Sequence, residues 1–230
     1  MKLNLKNFYL SVAFFQINYS MSELNNRLVD ELVKVGHLKT PRIVEAFKKI
    51  DRFDFVIEYL KNDAYLNNPL GIGFGQTISQ PLTVAFMLEL LQPQEGDKIL
   101  DIGSGSGWQM ALLCEIVGVK GKVFGIEIIS ELYEFGKKNL KHYNYEQKGI
   151  AELILGDGSH GLIVQAPFDK IISAAAPEEL LEEWKNQLKV GGQMVWPMKN
   201  SLWLGIKKTE TEFEMKEFPG FDFVPLLKKD

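Results

Sequence analysis

Residues 98–107 read KILDIGSGSG. A short apolar run, KILDI, passes without a break into a loop with glycine at 103, 105 and 107. Residues 106–118, SGWQMALLCEIVG, then carry the composition of a helix. A strand that ends in glycines and opens a helix sets the start of a β–α unit, because bare glycines let the backbone bend sharply and leave room for a ligand. The alternation continues downstream. KVFGIE (122–127) reads as a strand and SELYEFGKKNLKHY (130–143) as a helix. AELIL (151–155) and FDKIISA (168–174) read as strands, PEELLEEWKNQL (177–188) as a helix opened by its proline, and GQMVWPM (192–198) as a strand. LWLGIKK and FEMKEF close the chain as a hairpin. This order predicts an α/β fold, a doubly wound, mainly parallel Rossmann-like sheet with helices on both faces.

An N-terminal helical extension precedes that sheet. SELNNRLVDELVKVG (22–36) places Leu24, Leu28, Leu32 and Val35 on one helical face, with Ser22 as cap and Gly36 as stop. Thr40-Pro41 opens a second helix with Ile43, Val44, Phe47 and Ile50 on its apolar face. Residues 51–81 read as loop, and LTVAFMLELL after Pro81 as a buried helix ending near Pro93. The expected organisation is one structural domain: residues 21–92 as helical region and substrate loop, 93–230 as cofactor-binding core. Residues 1–20 place lysines at 2 and 6 before an apolar stretch from Phe8 to Ile17, interrupted by Gln16 and followed by Asn18. That stretch is too short to span a membrane and is read as a disordered leader or a mis-assigned start.

A net charge of −4 argues against a broad nucleic-acid-binding face. Cys114 is the single cysteine, so no intramolecular disulfide forms, which suits a reducing, cytoplasmic compartment. His37, His142 and His160 match no metal-ligand spacing. No exposed heptad or long apolar edge is evident. A monomer with no metal, nucleic-acid or membrane partner is expected.

The candidate site gathers at strand ends, where open α/β sheets bind ligands. Gly103, Ser104 and Gly105 form the loop itself. Glu127 ends the next strand, about twenty residues beyond the glycines, placing a carboxylate for both ribose hydroxyls of a nucleotide. Asp157 and Gly158 follow the third strand in GDG, where a carboxylate meets an adenine amino group. Asp101, on the strand before the glycines, suits an amino group and would repel a pyrophosphate. The Gly-x-Gly-x-Gly spacing also departs from the dinucleotide Gly-x-Gly-x-x-Gly. Together these predict S-adenosylmethionine rather than NAD. The second glycine stretch, GIGFGQTISQP (71–81), has no strand before it and is no phosphate loop. It reads as a mobile lip whose Ser79 caps the helix after Pro81, with Thr77, Ser79 and Gln80 offering hydrogen bonds to a substrate.

At GQTISQP (75–81), LELL (88–91), DIGSGSG (101–107), GDG (156–158), PFD (167–169), AAAP (174–177), QLKVGGQMVWPM (187–198) and FVPLL (223–227), the chain resembles the protein-L-isoaspartate O-methyltransferase family. The resemblance runs from about Leu32 to Leu227. GQTISQP is its specific part; DIGSGSG and GDG alone indicate only a class I methyltransferase. What the resemblance implies is repair of aged proteins. A methyl group passes from S-adenosylmethionine to the free α-carboxylate of an L-isoaspartyl residue, leaving S-adenosylhomocysteine. The ester then closes to a succinimide that hydrolyses partly to aspartate. The resemblance puts Ser79 at the active-site position and Thr77 and Ile78 beside cofactor and substrate. It puts Val224 and Pro225 in the peptide site, and Glu127 and Asp157 on ribose and adenine. A class I methyltransferase for another carboxylate or a small metabolite would share Glu127 and Asp157 but not GQTISQP. Trp108 departs from the family, which more often has a smaller aromatic or an aliphatic residue there.

Overall fold

A computed structural model describes residues 20–229. The reading of the first twenty residues as a leader therefore lies outside the described residues, Ser20 excepted. Ser20 is the N-cap of α1 (Met21–Lys34), correcting the choice of Ser22. The reason is Glu23 three residues on: its backbone N–H donates to Ser20 Oγ while its carboxylate accepts the Ser20 N–H at 2.7 Å, a closed capping box. Leu28, Val29 and Leu32 form the buried face, and Val35 is exposed. Thr40 occupies the N-cap position of α2 (Pro41–Lys49), but its hydroxyl donates to Glu89 rather than capping its own helix. Glu89 lies on α3 (Pro81–Leu91) and also accepts the N–H groups of Lys39 and Thr40 at 2.7 Å, so one carboxylate ties the start of α2 to α3.

Residues 51–80 are more ordered than the loop expected of them. Two short 3-10 turns, Arg52–Phe55 and Glu58–Asp63, lead into a hairpin of β1 (Leu70–Gly73) and β2 (Gln76–Ile78). Phe74 and Gly75 carry φ of 54° and 71°, the two left-handed residues of a tight hairpin turn whose twist suits its strands. The stretch GIGFG is thus the end of β1 and the hairpin turn, not a loop without strands. Its glycines hid the strands, since they carry no alternating side chains.

The main sheet holds β3 (Lys98–Ile102), β4 (Lys122–Glu127), β5 (Ala151–Leu155), β6 (Phe168–Ser173), β7 (Leu188–Met198), β8 (Ser201–Lys207) and β9 (Phe213–Pro219), in the order β5-β4-β3-β6-β7-β8-β9. Pairings from β5 through β7 are parallel, and β8 and β9 add antiparallel. Alternate residues face opposite layers. Ile99, Val123 and Ile172 join α1–α3, α4 (Trp108–Val117) and α5 (Ser130–Leu140) in one core. Leu100, Ile102, Phe124, Ile126 and Ile171 join Trp184 and Trp196 in the other. Helix α6 (Glu182–Gln187) is much shorter than expected from Pro177. Residues 177–181 are not helical, and before them Ala176 is tied to the C-terminal segment: its N–H donates to Val224 O and its carbonyl accepts from Leu226 N, both at 2.8 Å.

Candidate active site

The parallel strands end on one edge, and the chain order reverses between β3 and β6, whose neighbours run in opposite sequence directions from that pair. Such a switch point opens a crevice beyond the strand ends. The loop after β3 enters it. Gly103 N and Ser104 N both donate to Ile126 O, at 2.9 and 3.1 Å, so the loop turns over the end of β4. Helix α5 supports it from behind by close backbone approach. A Cβ on Gly136 would stand 2.8 Å from Gly105 O, and one on Gly107 (φ +86°) would stand 3.3 Å from Gly136 O. Asn139 of the same helix donates to Ser106 O at 2.9 Å. Two bare glycines facing each other let helix and loop touch without side chains between them.

Glu127, at the end of β4 and only 5% exposed, lies in the cleft wall. Its Oε2 accepts the Gly105 N–H and its Oε1 the Ile129 N–H, both at 2.9 Å. Each oxygen keeps a further acceptor direction for a ligand hydroxyl. Asp101 sits beneath the loop. Its Oδ1 accepts Gln109 Nε2 at 2.7 Å, while Oδ2 has no partner among the described residues. Burial pushes this carboxyl up to about 6, the Gln109 bond and the nearby Ser104 hydroxyl, itself bonded to the Asp101 backbone carbonyl, oppose that, and Glu127 adds like charge. A deeply buried, half-paired acid is an arrangement that a positively charged ligand group would relieve.

The cleft is lined by Gly103, Gly105, Glu127 and Gly158 on the sheet side, by Gln76 and Thr77 from the hairpin, and by Val224 and Pro225 from the C-terminal segment. Its volume is about 50 Å³, and a neighbouring groove of about 670 Å³ opens beside it. Thr77, Ala174 and Val224 line both. Ser79 lies in the groove wall and, with Ile78, Ser104 and Trp108, borders a small third cavity under the glycine loop. Ser79 does not cap α3. Gln80 is the N-cap, and Asn67 Oδ1 accepts the Leu82 N–H at 2.9 Å instead. Ile78 is buried in the core. Asp157 stands beside the cleft rather than in its lining. Burial pushes its carboxyl up, but the Lys229 and Ser159 N–H groups, each at 2.8 Å, outweigh that and lower it.

Thr77, Gly103, Gly105, Glu127, Gly158, Val224 and Pro225 therefore converge on one cleft, Ser79 on the adjoining groove, and Asp101 behind the loop. Sequence reasoning missed Gln109, the partner of Asp101, and Arg52, which holds the backbone around Ser79. Gln109 lies in a helix read only for its apolar residues, and nothing local distinguishes Arg52 from a surface arginine. Among the described residues no group of acids, histidines and cysteine could hold a metal, and no helix is long and apolar enough to cross a membrane.

Residues 22–230 match the family model described as protein-L-isoaspartate(D-aspartate) O-methyltransferase. The chain is 39% identical over 208 residues to a protein-L-isoaspartate O-methyltransferase of Methanopyrus kandleri, covering 89% of this chain and 91% of that one. It is 43% identical over 208 residues to the like-named protein of Flavobacterium psychrophilum, covering 89% and 94%. In fold it is similar to a Plasmodium falciparum chain of that description, crystallised with S-adenosyl-L-homocysteine. The TM-score is 0.81, covering 89% of this chain and 99% of that one, at 23% identity.

Proposed function

This chain belongs to the protein-L-isoaspartate(D-aspartate) O-methyltransferase family, and from that membership we propose how its residues divide the work. Its function is protein repair: it transfers a methyl group from S-adenosylmethionine to the free α-carboxylate of L-isoaspartyl residues. The observation that carries the division of labour is the shared wall. Thr77, Ala174 and Val224 face both the narrow cleft and the wide groove, so a donor in one meets an acceptor in the other.

The cofactor's place is the cleft. Gly103, Ser104 and Gly105 would hold its methionine part, with Asp101 beneath the loop balancing the amino group. Glu127 would accept the ribose hydroxyls while it keeps Gly105 and Ile129 in place. Gly158, in the cleft lining, would border the adenine, and the second acceptor direction on each Asp157 oxygen would serve its amino group. When bound, S-adenosylmethionine supplies a methyl group on a sulfonium centre.

The peptide's place is the groove. Its α-carboxylate is already ionised at neutral pH, so the residues here need remove no proton. Ser79 and Thr77 donate hydrogen bonds that aim the carboxylate across the shared wall, and Val224 and Pro225 close the apolar side. Charge is neutralised as the methyl moves, so alignment and exclusion of water supply most of the rate. Cys114 is fully buried with its thiol pushed up by burial, which suits a packing role and no redox chemistry. Parallel calorimetric titrations with S-adenosylhomocysteine and NAD test the cofactor assignment. Binding of the first alone is expected, and binding of NAD alone would overturn it.

A further inference from the structure

Arg52 is unusual for a charged residue: it is fully buried, and among the described residues its guanidinium meets no carboxylate. An unpaired cation inside a protein is expensive unless hydrogen bonds replace its water. Here four backbone carbonyls do so. Nη1 donates to Ala64 O at 2.7 Å and Leu66 O at 3.2 Å, and Nη2 to Asn68 O at 2.9 Å and Ser79 O at 3.2 Å. Nε has no partner.

Those acceptors are not scattered. Asn68 lies two residues before β1, and Ser79 follows β2 directly, so Nη2 clasps both feet of the hairpin. Above this clasp the guanidinium sits 5.3 Å from the centre of the Trp108 ring, a cation–π contact in a dry setting. Trp108 is the first residue of α4, immediately after Gly107 of the glycine loop, and Phe47 packs edge-on against it at 5.6 Å. One side chain therefore connects the segment carrying Thr77 and Ser79 to the loop on the cofactor side. The planar fork of arginine suits several carbonyls at fixed angles, whereas lysine offers a single point charge. Burial pushes the guanidinium down to about 10, which still leaves it charged at neutral pH.

We propose that Arg52 is a positioning residue for methyl transfer, holding the hairpin feet and the Ser79 backbone in register with the glycine loop through Trp108. It touches neither reactant. Its effect is on the distance and angle at which the carboxylate presented by Ser79 and Thr77 meets the donor. This rests on the methyl-transfer assignment above.

Arg52→Lys and Arg52→Met are compared with the wild-type chain. Thermal unfolding, the calorimetric Kd for S-adenosylhomocysteine, and kcat and KM on an isoaspartyl peptide are measured for each. A wild-type chain with no transfer would refute the assignment rather than the role of Arg52. With wild-type activity in hand, kcat of folded Arg52→Lys is expected to fall about tenfold or more, the rate equivalent of one lost charge-assisted bond. Its cofactor Kd should stay within about threefold, since the cleft contacts are untouched. Hydrogen exchange at residues 64–79 should speed up in the same variant. Arg52→Met should lose more activity; if it does not fold, the lysine variant decides. A folded Arg52→Lys with wild-type kcat, or one losing kcat and cofactor affinity in parallel, would overturn the proposal.

Discussion

Replacing Glu127 with glutamine keeps the shape of the side chain and removes its charge. The carboxylate accepts two backbone N–H groups, from Gly105 and Ile129, each at 2.9 Å, on a residue with 5% of its surface exposed. Glutamine has one carbonyl oxygen, so it satisfies one of these donors and turns its own NH₂ toward the other. A buried N–H left without an acceptor costs about 1–3 kcal/mol. The glycine loop, held on that side by the Gly105 bond, then loses part of its support. In the cofactor complex the ribose hydroxyls also exchange a charged acceptor for a neutral one, worth roughly 1 kcal/mol for each of the two bonds. Affinity for S-adenosylhomocysteine should therefore weaken by about ten- to a hundredfold. Isothermal titration gives this directly, with a thermal melt to establish that the variant is folded. Glu127→Ala should lose at least as much, since it returns neither acceptor. A folded Glu127→Gln with wild-type Kd would mean that the residue only braces the loop and that the ribose lies elsewhere.

Other substitutions probe neighbouring parts of the site. In the folded chain Asp101 titrates at about 6 rather than 3.8, so the folded state binds its proton more tightly than the unfolded chain does. The destabilising effect of that carboxylate is absent below the unfolded value, grows between the two, and is complete above 6. At most it is about 3 kcal/mol. Asp101→Asn should accordingly raise Tm at pH 8 and leave it unchanged at pH 3.5, and an equal shift at both would refute the burial argument. Gly136→Ala improves helix propensity by roughly 1 kcal/mol at an ordinary position. Here its Cβ meets Gly105 O at 2.8 Å, so a lower Tm and weaker S-adenosylhomocysteine binding are expected; a stabilised variant would show that helix and loop are less tightly apposed. Ser79→Ala should reduce kcat/KM on an isoaspartyl peptide and leave cofactor affinity alone, and unchanged kcat and KM would remove its assigned role.

The parallel sheet was readable because each central strand is a short apolar run next to a turn signal. KILDI and KVFGIE match β3 and β4 residue for residue. The glycine loop was readable for the same reason, since its meaning comes from the strand before it and the helix after it. The hairpin at 70–78 was not, because glycines at 71, 73 and 75 erase the alternation that marks a strand, and only the pairing of Gly71 with Thr77 and Leu70 with Ile78 reveals it. Local rules also misplaced two caps. Ser22 and Ser79 are good N-cap residues, but reciprocal bonding with Glu23 selects Ser20, and Asn67, distant in sequence, supplies the cap that Ser79 would have given. The long helix expected from Pro177 begins only at Glu182, and the segment before it is tied to the C-terminal segment through Ala176, bonded to Val224 and Leu226. Arg52 and Gln109 belong to this second kind: their roles arise from partners far along the chain or behind the site, where periodicity carries no information.

Repair requires discrimination between two carboxylates that differ by one methylene of backbone. Radiolabelled methyl transfer from S-adenosylmethionine is measured on an isoaspartyl peptide and on its aspartyl twin. Label on the isoaspartyl peptide alone, released by mild base as the ester closes to succinimide, is expected. Equal labelling of both peptides, or of neither, would contradict a repair methyltransferase.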